Sequence, residues 1–363
     1  MDYKGLMDFA RREWFLSALM ILYLVLLLRD GSLLRRTLSL IDWGSLSLIG
    51  SLILLSMGLE LSGIFTRLSC RLISLSRGSE RRLAFVLLPT IALSSAVIMN
   101  DTAMLIFIPL IVTLSRIAEK DLSGLIVLSA IAANVGSALT PIGNPQNVII
   151  WNHYGVPLHY FVLRMLPFVF TWLLLLLLFA YFILKGEIEQ RELPPVSVRK
   201  SLLWISILLL AVDVVLAHEG KALWTFPITL GVLLLPERKV LLAFDWALLL
   251  TFAFIFADSG EIALILSSSR IFFPHSGLGL FLTSAFLSQL VSNVPATVLL
   301  LGGGEWLPLA AGVNVGGTGL IIGSLANLIA IRTGKVGVRE FHRYSVPFFL
   351  IALMVSALVI LIW

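Results

Sequence analysis

The chain has 363 residues, of which 59% are hydrophobic and 13% are charged, and its mean hydropathy is +1.01. Soluble domains carry about 25% charged residues, so the composition excludes an ordinary soluble protein and predicts an all-α polytopic membrane protein. The formal net charge of +5 fits cationic cytoplasmic loops, and no basic stripe with interleaved aromatic residues indicates nucleic-acid binding. The single cysteine, Cys70, excludes an internal disulfide and disfavours a thiolate metal site.

The first apolar segment, residues 14–28, follows an N-terminal stretch that carries Lys4, Arg11 and Arg12. This order resembles a secretory signal peptide. Because Arg29 follows directly and no small-residue cleavage pattern is present, the sequence instead predicts a retained first helix. The N-terminus is then predicted to be cytoplasmic.

Further apolar segments follow along the chain and predict about nine helices that cross a bilayer. They lie at 44–66, 83–117, 122–151, 158–184, 201–217, 222–235, 244–265, 277–301, 306–331 and 345–363. Two of these segments are interrupted by short stretches that contain polar residues. Met99 to Thr102 divide 83–117, and Ser292 to Pro295 divide 277–301. Each of these two segments is either one long helix or a re-entrant hairpin whose half-helices meet at a polar tip.

The charges beside the two interrupted segments favour hairpins that enter from opposite sides. Cations stand at both ends of 83–117, namely Arg67, Arg71, Arg77, Arg81 and Arg82 before it and Arg116 and Lys120 after it. Both ends are therefore predicted to be cytoplasmic, whereas 277–301 has few flanking cations and is predicted to enter from outside. The cation-rich linker 185–200 and loop 332–343 are predicted to be cytoplasmic, which leaves the C-terminus outside. One loop conflicts with the positive-inside rule, because the predicted topology places its Arg29, Arg35 and Arg36 outside.

The segment 134–149 is repeated 180 positions later, at 314–329. Without a gap, seven of the sixteen positions are identical, and the shared residues include two asparagines and two glycines in each copy. Both copies interrupt apolar runs, which a bilayer tolerates only where the freed backbone groups line a cavity or are buried in protein. Paired broken helices in two halves of a chain indicate the binding site of a secondary transporter.

The repeat predicts the organisation of the whole chain. Residues 1–184 are the first repeat, with a hairpin at 83–117 and a broken helix at 122–151; 185–200 are a cytoplasmic linker; 201–221 are a connecting helix; and 222–363 are the second repeat, with a hairpin at 277–301 and a broken helix at 306–331. Because the connecting helix has no counterpart in the first repeat, it turns the second repeat upside down. The predicted fold is therefore an inverted-repeat secondary transporter with two re-entrant hairpins and two broken helices.

Each of the four breaks offers two kinds of binding group. The N-terminal end of a half-helix exposes N–H groups that attract anions, and the C-terminal end exposes carbonyl oxygens that suit Na⁺. The predicted substrate- and ion-binding residues are therefore the polar residues, glycines and prolines at the breaks. They are Asn100, Asp101, Thr102, Asn134, Gly136, Thr140, Pro141, Gly143, Asn144 and Asn147 in the first repeat, and Ser292, Asn293, Pro295, Thr297, Asn314, Gly316, Thr318, Gly319, Gly323 and Asn327 in the second. The alternative is that these small residues only pack helices together.

Acidic residues inside apolar segments are further candidates. Asp101 lies in a predicted hairpin tip, where a carboxylate is costly and indicates function; the alternative is an acid that is kept neutral or that caps a half-helix. Asp258 and Glu261 share a helix face, either as a proton relay or as the outer end of that helix. Glu60 and Asp213 fit structural roles. No catalytic motif indicates an enzyme, and no cofactor is expected except Na⁺ as a coupling ion.

The motifs around Asn134, around Asn314 and at Ser292 to Pro295 make the chain resemble the ion transporter superfamily from about residue 40 to the C-terminus. It is most similar to the arm that contains arsenite/antimonite permeases, pink-eyed-dilution type anion transporters and a type of sodium/proton antiporter. The resemblance implies a transport domain of two hairpins and two broken helices, a scaffold that forms a homodimer, and elevator-like movement. It also implies two Na⁺ sites, the first framed by Asn100, Asp101 and Asn134 with Gly136 and Asn144, and the second by Asn293, Asn314 and Thr318 with Thr297 and Asn327.

The predicted function is secondary transport of a small anion or oxyacid, coupled to Na⁺ or H⁺, across the plasma (inner) membrane. The tips Met99 to Thr102 and Ser292 to Pro295 depart from the Ser-Asn-Thr signature of the superfamily's dicarboxylate carriers, which disfavours dicarboxylates. A Na⁺/H⁺ antiporter is one alternative, because Asp101 places negative charge where an anion would sit. An ion channel is the other alternative.

Overall fold

The protein, seen here in a computed structural model, is built from helices. The structure describes residues 13–64, 67, 77–117, 119–187, 197–234, 244–268, 273–302 and 304–362. Cys70 lies outside these residues, and the side chains of Glu60 and Thr102 are also outside the described part. The first half contains α1 (Trp14–Arg29), α2 (Leu33–Leu40), α3 (Trp43–Ser62), α4 (Glu80–Val97), α5 (Asn100–Ile117), α6 (Ser123–Ser137), α7 (Pro145–Tyr154) and α8 (Leu158–Ile183).

The second half begins with α9, which follows the linker. It contains α9 (Lys200–His218), α10 (Thr225–Leu234), α11 (Trp246–Ser268), α12 (Gly277–Val291), α13 (Asn293–Leu300), α14 (Trp306–Gly316), α15 (Leu325–Gly334) and α16 (Val338–Ile362), with short 3₁₀ turns at Ala222–Trp224 and Ile321–Gly323.

Four apolar segments are each divided into two helices. The break between α4 and α5 falls at residues 98–99, and the break between α12 and α13 falls at Ser292. Residues 138–144 separate α6 from α7, and residues 317–324 separate α14 from α15. The polar tip of the first pair therefore forms the first turn of α5. Entry and exit of each hairpin on one side of the membrane stays a prediction.

Local chemistry explains where the second half of each broken helix begins. The side chain of Asn144 accepts a hydrogen bond from the N–H of Asn147, at 2.9 Å, and Pro145 takes the first helical position, where its missing N–H has no cost. The side chain of Ser324 likewise accepts a hydrogen bond from the N–H of Ala326, at 3.3 Å. The same residues that interrupt the apolar runs thus restart the helices.

The four divided elements pack on one another at the centre of the protein. The first arm of each pair lies along the first half of the broken helix that follows it, α4 on α6 and α12 on α14. The second arms cross to the other half of the chain, so that α5 packs on α15 and α13 packs on α7. Residues 125–137 of α6 and 307–316 of α14 are all buried. The residues of the four breaks are buried or half-buried, except Leu320 and Ile322 of the last break, which are exposed.

Glycines at matching positions of the two copies allow the close packing of α4 on α6 and of α12 on α14. A Cβ atom at Gly136 would overlap the backbone of Ala92. At Gly316, a Cβ atom would lie 2.6 Å from Cβ of Ser288 and 2.8 Å from the carbonyl oxygen of Ala285. These two glycines are explained by helix packing, and their contacts do not require a ligand.

The remaining helices surround this centre in two groups. Helices α8 and α16 pack on α6 and on each other. Helix α3 packs with α9 and α10, and α11 packs with α1 and α2. The second group reaches the centre through α3, which contacts α5 and α7, and through α11, which contacts α13.

Three helices of the described part are long and apolar enough to cross a membrane, judged by length and composition. They are α8, α16 and Lys200–Ala217 within α9. Helices α2 and α3 meet at 61° and would count as a fourth if the pair formed one broken span. The breaks divide other apolar segments into shorter helices, so the number of about nine spans stays a prediction.

Two helix boundaries in the structure differ from those that the apolar pattern predicts. The loop expected at 332–343 is a tight turn, because Lys335 ends α15 in the left-handed conformation (φ 54°) and α16 begins at Val338. Within the described residues, the segment that starts at 222 is a 3₁₀ turn, Ala222–Trp224, followed by α10, so the helix begins three residues later than the apolar pattern indicates. Hydropathy alone does not locate such ends, because turn geometry determines them.

Candidate functional site

The tip of the first hairpin contacts the first broken helix through Asn100. The backbone N–H of Asn100 donates to the carbonyl oxygen of Gly143 at 3.0 Å. Its side-chain amide donates to Oδ1 of Asn134, also at 3.0 Å. Both asparagines are buried, with 2% of their surface exposed. The structure therefore brings the break between α4 and α5 together with the broken helix α6–α7.

Two asparagine pairs join one copy of the repeat to the other. Nδ2 of Asn134 donates to Oδ1 of Asn327 at 2.9 Å, and Nδ2 of Asn314 donates to Oδ1 of Asn147 at 2.7 Å. Under the offset of 180, position 134 corresponds to position 314 and position 327 corresponds to position 147, so each pair is the counterpart of the other. The hydrogen bonds between the copies thus exchange under the offset that relates their sequences.

A second set of hydrogen bonds obeys the same relation. Nδ2 of Asn144 donates to Oδ1 of Asn314 at 2.8 Å, and Oγ of Ser324 donates to Oδ1 of Asn134 at 2.8 Å. Positions 144 and 324 correspond under the offset of 180, although one carries an amide and the other a hydroxyl. Each capping residue therefore ties its own half-helix to the first asparagine of the other copy.

A third set occupies the carbonyl oxygens of the broken segments. Nδ2 of Asn147 donates to the carbonyl oxygen of Thr140 at 2.9 Å and to that of Ser137 at 3.4 Å. Nδ2 of Asn327 donates to the corresponding carbonyl oxygens of Leu320, at 3.0 Å, and Gly317, at 2.8 Å. These bonds satisfy backbone groups that the breaks leave free, which a buried segment requires.

The second hairpin tip is held in an unusual backbone conformation. Ser292 has φ 77° and ψ 158°, a region that is almost restricted to glycine and that costs about 1–3 kcal/mol for other residues. Its hydroxyl lies 3.4 Å from Oδ1 of Asn293, and Asn293 is buried. Pro295 lies in the first turn of α13, and the hydroxyl of Thr297 donates to the carbonyl oxygen of Asn293 at 2.8 Å. Strain at a buried tip indicates a functional position.

Asp101 is the charged residue of the site. It is buried, with 4% of its surface exposed, and within the described part of the chain neither carboxylate oxygen has a hydrogen-bond partner. Because Asn100 and Asn293 hold matching tip positions, the counterpart of Asp101 is Val294. An unpaired buried carboxylate is costly, so this position favours a bound proton or cation. The two halves of the site thus differ in charge.

Two glutamines that the sequence analysis did not select belong to the site. Nε2 of Gln146 donates to Oδ1 of Asn314 at 3.1 Å, while its Oε1 is buried and has no partner among the described residues. Gln289, three positions before the strained Ser292, donates to the carbonyl oxygen of Gly316 and accepts from the N–H of Leu320 at 2.6 Å. Neither glutamine is repeated in the other copy, so the repeat could not identify them.

Several predicted residues lie at the breaks but bond only to backbone. The hydroxyl of Thr318 donates to the carbonyl oxygen of Val315 at 2.7 Å, and that of Thr140 donates to the carbonyl oxygen of Ala96. Pro141 and Gly143 are buried within the first break. In the second copy, a Cβ atom at Gly319 would overlap the side chain of Gln289, and one at Gly323 would lie 2.8 Å from the carbonyl oxygen of Gly316. These positions shape the breaks.

The acids outside the breaks have different surroundings. Glu261 accepts two hydrogen bonds from Arg36, both at 3.0 Å, and Arg36 also pairs with Asp30 at 2.9 Å. Asp258 is buried, and in the described part of the chain its carboxylate has no partner, so it does not share the ion pair of Glu261. Asp213 accepts hydrogen bonds from hydroxyls on α3 and α10, which ties α9 to these helices.

Arg36 belongs to the loop whose arginines conflict with the predicted topology. Hydrogen bonds from Ser32 and Arg36 lower the pKa of Asp30 to about 2, so this carboxylate stays ionised at neutral pH. Two carboxylates therefore face Arg36, and its charge is compensated. The positive-inside rule counts Lys and Arg residues and gives acids little weight, so Arg29, Arg35 and Arg36 still disfavour an outside position of this loop.

Comparison with known proteins relates the chain to membrane transporters. The family model described as "Citrate transporter" matches residues 10–303, which include three of the four breaks. The inner membrane protein YbiR of Escherichia coli is 37% identical over 334 residues, covering 89% of this chain and 88% of the relative. The uncharacterized transporter MJ0456 of Methanocaldococcus jannaschii is 35% identical over 267 residues, covering 72% and 73%. The P protein of Mus musculus is 31% identical over 135 residues, covering 37% of this chain and 16% of that protein.

Proposed function

The chain belongs to the citrate transporter family of the ion transporter superfamily, which confirms the resemblance, and we propose that this integral membrane transporter carries a small anion in symport with Na⁺ or H⁺. The observation that carries the proposal is the buried hydrogen-bond network that joins the two broken segments to each other. Asn100 connects this network to the break between α4 and α5, and Gln289 on α12 connects to the second broken segment. Each break supplies both an N-terminal and a C-terminal helix end.

The substrate class follows from the helix ends. Helices α5, α7, α13 and α15 all begin at the breaks, so their partial positive ends attract an anion. The segments 99–102, 134–149, 292–297 and 314–329 contain no Lys or Arg. An anion of low charge or a neutral oxyacid therefore fits better than a fully ionised tricarboxylate, unless a cation accompanies it.

The coupling cation is assigned to the first repeat. The carboxylate of Asp101 and Oδ1 of Asn100 are buried acceptors that lack partners among the described residues. The C-terminal end of α4 directly precedes these residues, and the carbonyl ends of helices suit Na⁺. A proton on Asp101 satisfies the same carboxylate. The second repeat offers amide, hydroxyl and carbonyl oxygens of Asn293, Asn314 and Thr318 without an acid.

Alternating access is proposed to arise from the two-fold relation between the copies. Hydrogen bonds that exchange under the 180-residue offset support a two-fold relation between the copies. With the inverted orientation that the flanking charges favour, such repeats present one site to either face in turn. The central helices contact the second group of surrounding helices through α3 and through α11, which packs on α13. Such a limited contact supports elevator-like movement of the centre past a scaffold, and the scaffold is the proposed homodimer surface.

A Na⁺/H⁺ antiporter is the second candidate function. Asp101 favours it, because an unpaired acid at the tip suits a cation or a proton better than an anion. The two functions differ in whether ion flux requires the anion. An antiporter exchanges Na⁺ for H⁺ in its absence.

Uptake into proteoliposomes tests the proposal. Purified protein is reconstituted, and citrate, phosphate and arsenite are offered separately under a Na⁺ gradient or a pH gradient. The proposal expects saturable uptake of one of them above its equilibrium level, abolished by an ionophore that collapses the gradient. Uptake that never exceeds equilibrium indicates a channel. A dye-reported pH change on adding Na⁺ alone indicates the antiporter.

A further inference from the structure

A cavity with a strong excess of positive charge lies away from the four breaks. It has a volume of about 410 Å³ and is lined by residues 77–79, 81 and 82, before and within the first turn of α4, and by residues 185–187 after α8. Four cationic residues and one acid line it, namely Arg77, Arg81, Arg82, Lys185 and Glu187. The formal charge of the lining is therefore about three units positive, which favours an anionic ligand.

The walls of the cavity are fixed by hydrogen bonds. The N–H of Glu80 donates to the carbonyl oxygen of Gly186 at 3.0 Å, and the N–H of Gly186 donates to Oε2 of Glu80 at 3.0 Å. Lys120 donates to the same Oε2 at 2.9 Å, and Glu80 is buried. Ser79 and Glu187 also form an isolated antiparallel bridge. The cavity is thus part of the folded structure, and the buried acid behind its wall, Glu80, is already paired with Lys120.

Arg81 is held in place at the edge of this cavity. Its Nε donates to the carbonyl oxygen of Leu184 at 3.3 Å, and its guanidinium lies 4.3 Å from the ring centroid of Tyr181. A stacked guanidinium loses less conformational freedom when it binds an anion. Arg82 and Lys185 are exposed beside it, so a ligand can reach all three cations.

The position of the cavity at the end of a spanning helix suggests the source of the anion. Helix α8 is long and apolar enough to cross a membrane, and its last turns expose Tyr181 and Phe182. Exposed aromatic residues near the end of a spanning helix mark the headgroup region, and basic pockets there bind anionic headgroups. We propose that this cavity binds a phosphoryl group, supplied by an anionic phospholipid headgroup or by free phosphate. The proposal does not depend on the transported substrate.

Thermal unfolding of the detergent-solubilised protein tests the site. The variant R82Q/K185Q removes two exposed cations from the cavity and should fold, because neither side chain is buried. The matched control K335Q/R339Q removes one Lys and one Arg that are also exposed but do not line the cavity. Each protein is measured with added phosphatidylglycerol, with phosphatidylcholine and with inorganic phosphate, at low and high NaCl.

Phosphatidylglycerol is expected to raise the melting temperature of the wild type and of K335Q/R339Q by roughly 3 °C relative to phosphatidylcholine, and not that of R82Q/K185Q. High NaCl should reduce the shift. The same pattern with inorganic phosphate alone would support the site and identify the free anion as the ligand. Equal shifts in all three proteins, or no shift with either probe, would overturn the proposal.

Discussion

The two asparagine pairs that join the copies can be tested by measuring the coupling free energy between the members of each pair. Double-mutant cycles to alanine are made for Asn134 with Asn327 and for Asn314 with Asn147, which are directly bonded at 2.9 and 2.7 Å. The matched controls combine the same four substitutions within one copy, Asn134 with Asn147 and Asn314 with Asn327, between which no hydrogen bond occurs in the described structure. The cycle isolates the pairwise term.

The expected magnitudes follow from the hydrogen bonds. Inter-helix hydrogen bonds in membrane proteins average about 0.6 kcal/mol and reach about 1.7 kcal/mol. Each bonded pair should therefore show a coupling of about 0.5–1.5 kcal/mol, similar in the two pairs because they are related by the repeat. The within-copy pairs, which are linked only indirectly, should show a smaller coupling than the bonded pairs.

Reversible unfolding in mixed detergent micelles provides the free energies, with transport of each single variant measured in parallel. Transport should fall in Asn134→Ala and Asn314→Ala while the amount of protein in the membrane stays near that of the wild type. Equal coupling in bonded and within-copy pairs would refute the two-fold network. Normal transport in both single variants would show that the asparagines only pack helices.

Two further predictions concern topology and packing. In a Cys70→Ala background, cysteines at Arg82, in the first turn of α4, and at Glu119, just after α5, should both react with an impermeant reagent only from the cytoplasmic side. Labelling from opposite sides would exclude a re-entrant hairpin. Gly136→Ala should lower the free energy of unfolding by about 1–3 kcal/mol, because the added Cβ atom overlaps α4. The control Gly231→Ala, at an open helical position, should be neutral or stabilising by up to about 1 kcal/mol. Equal effects of the two substitutions in an unfolding titration would contradict the packing account.

The sequence located the breaks because interruptions of apolar runs have a physical cost that is visible in composition. Asn134 and Asn314 were selected since both occur at the same place in a repeated segment. Their partners, Asn327 and Asn147, also belong to the repeat, but the crossing of each bond to the other copy depends on tertiary packing. A one-dimensional pattern contains no information on which copy supplies the partner.

Other parts of the site could not be predicted for specific reasons. Gln146 and Gln289 each occur in one copy only, and a glutamine near a helix end has no distinctive spacing. Asp258 and Glu261 share a helix face, yet only Glu261 reaches Arg36, because a few tens of degrees around the helix axis decide which acid meets α2. The search for long apolar segments does not predict the short helix α2, because α2 is amphipathic and has only eight residues.

Transport by Asp101→Asn is the most direct test of the central claim, that the buried tip acid couples transport to a cation. The control is Asp258→Asn, which replaces another buried acid without partners among the described residues, but on α11. An amide keeps the shape of the carboxylate and can neither take up a proton reversibly nor offer a full negative charge. Measured in proteoliposomes from pH 5 to pH 9, Asp101→Asn should lose concentrative uptake and its pH dependence, while Asp258→Asn keeps both. Wild-type uptake with an unchanged pH profile in Asp101→Asn would contradict the account.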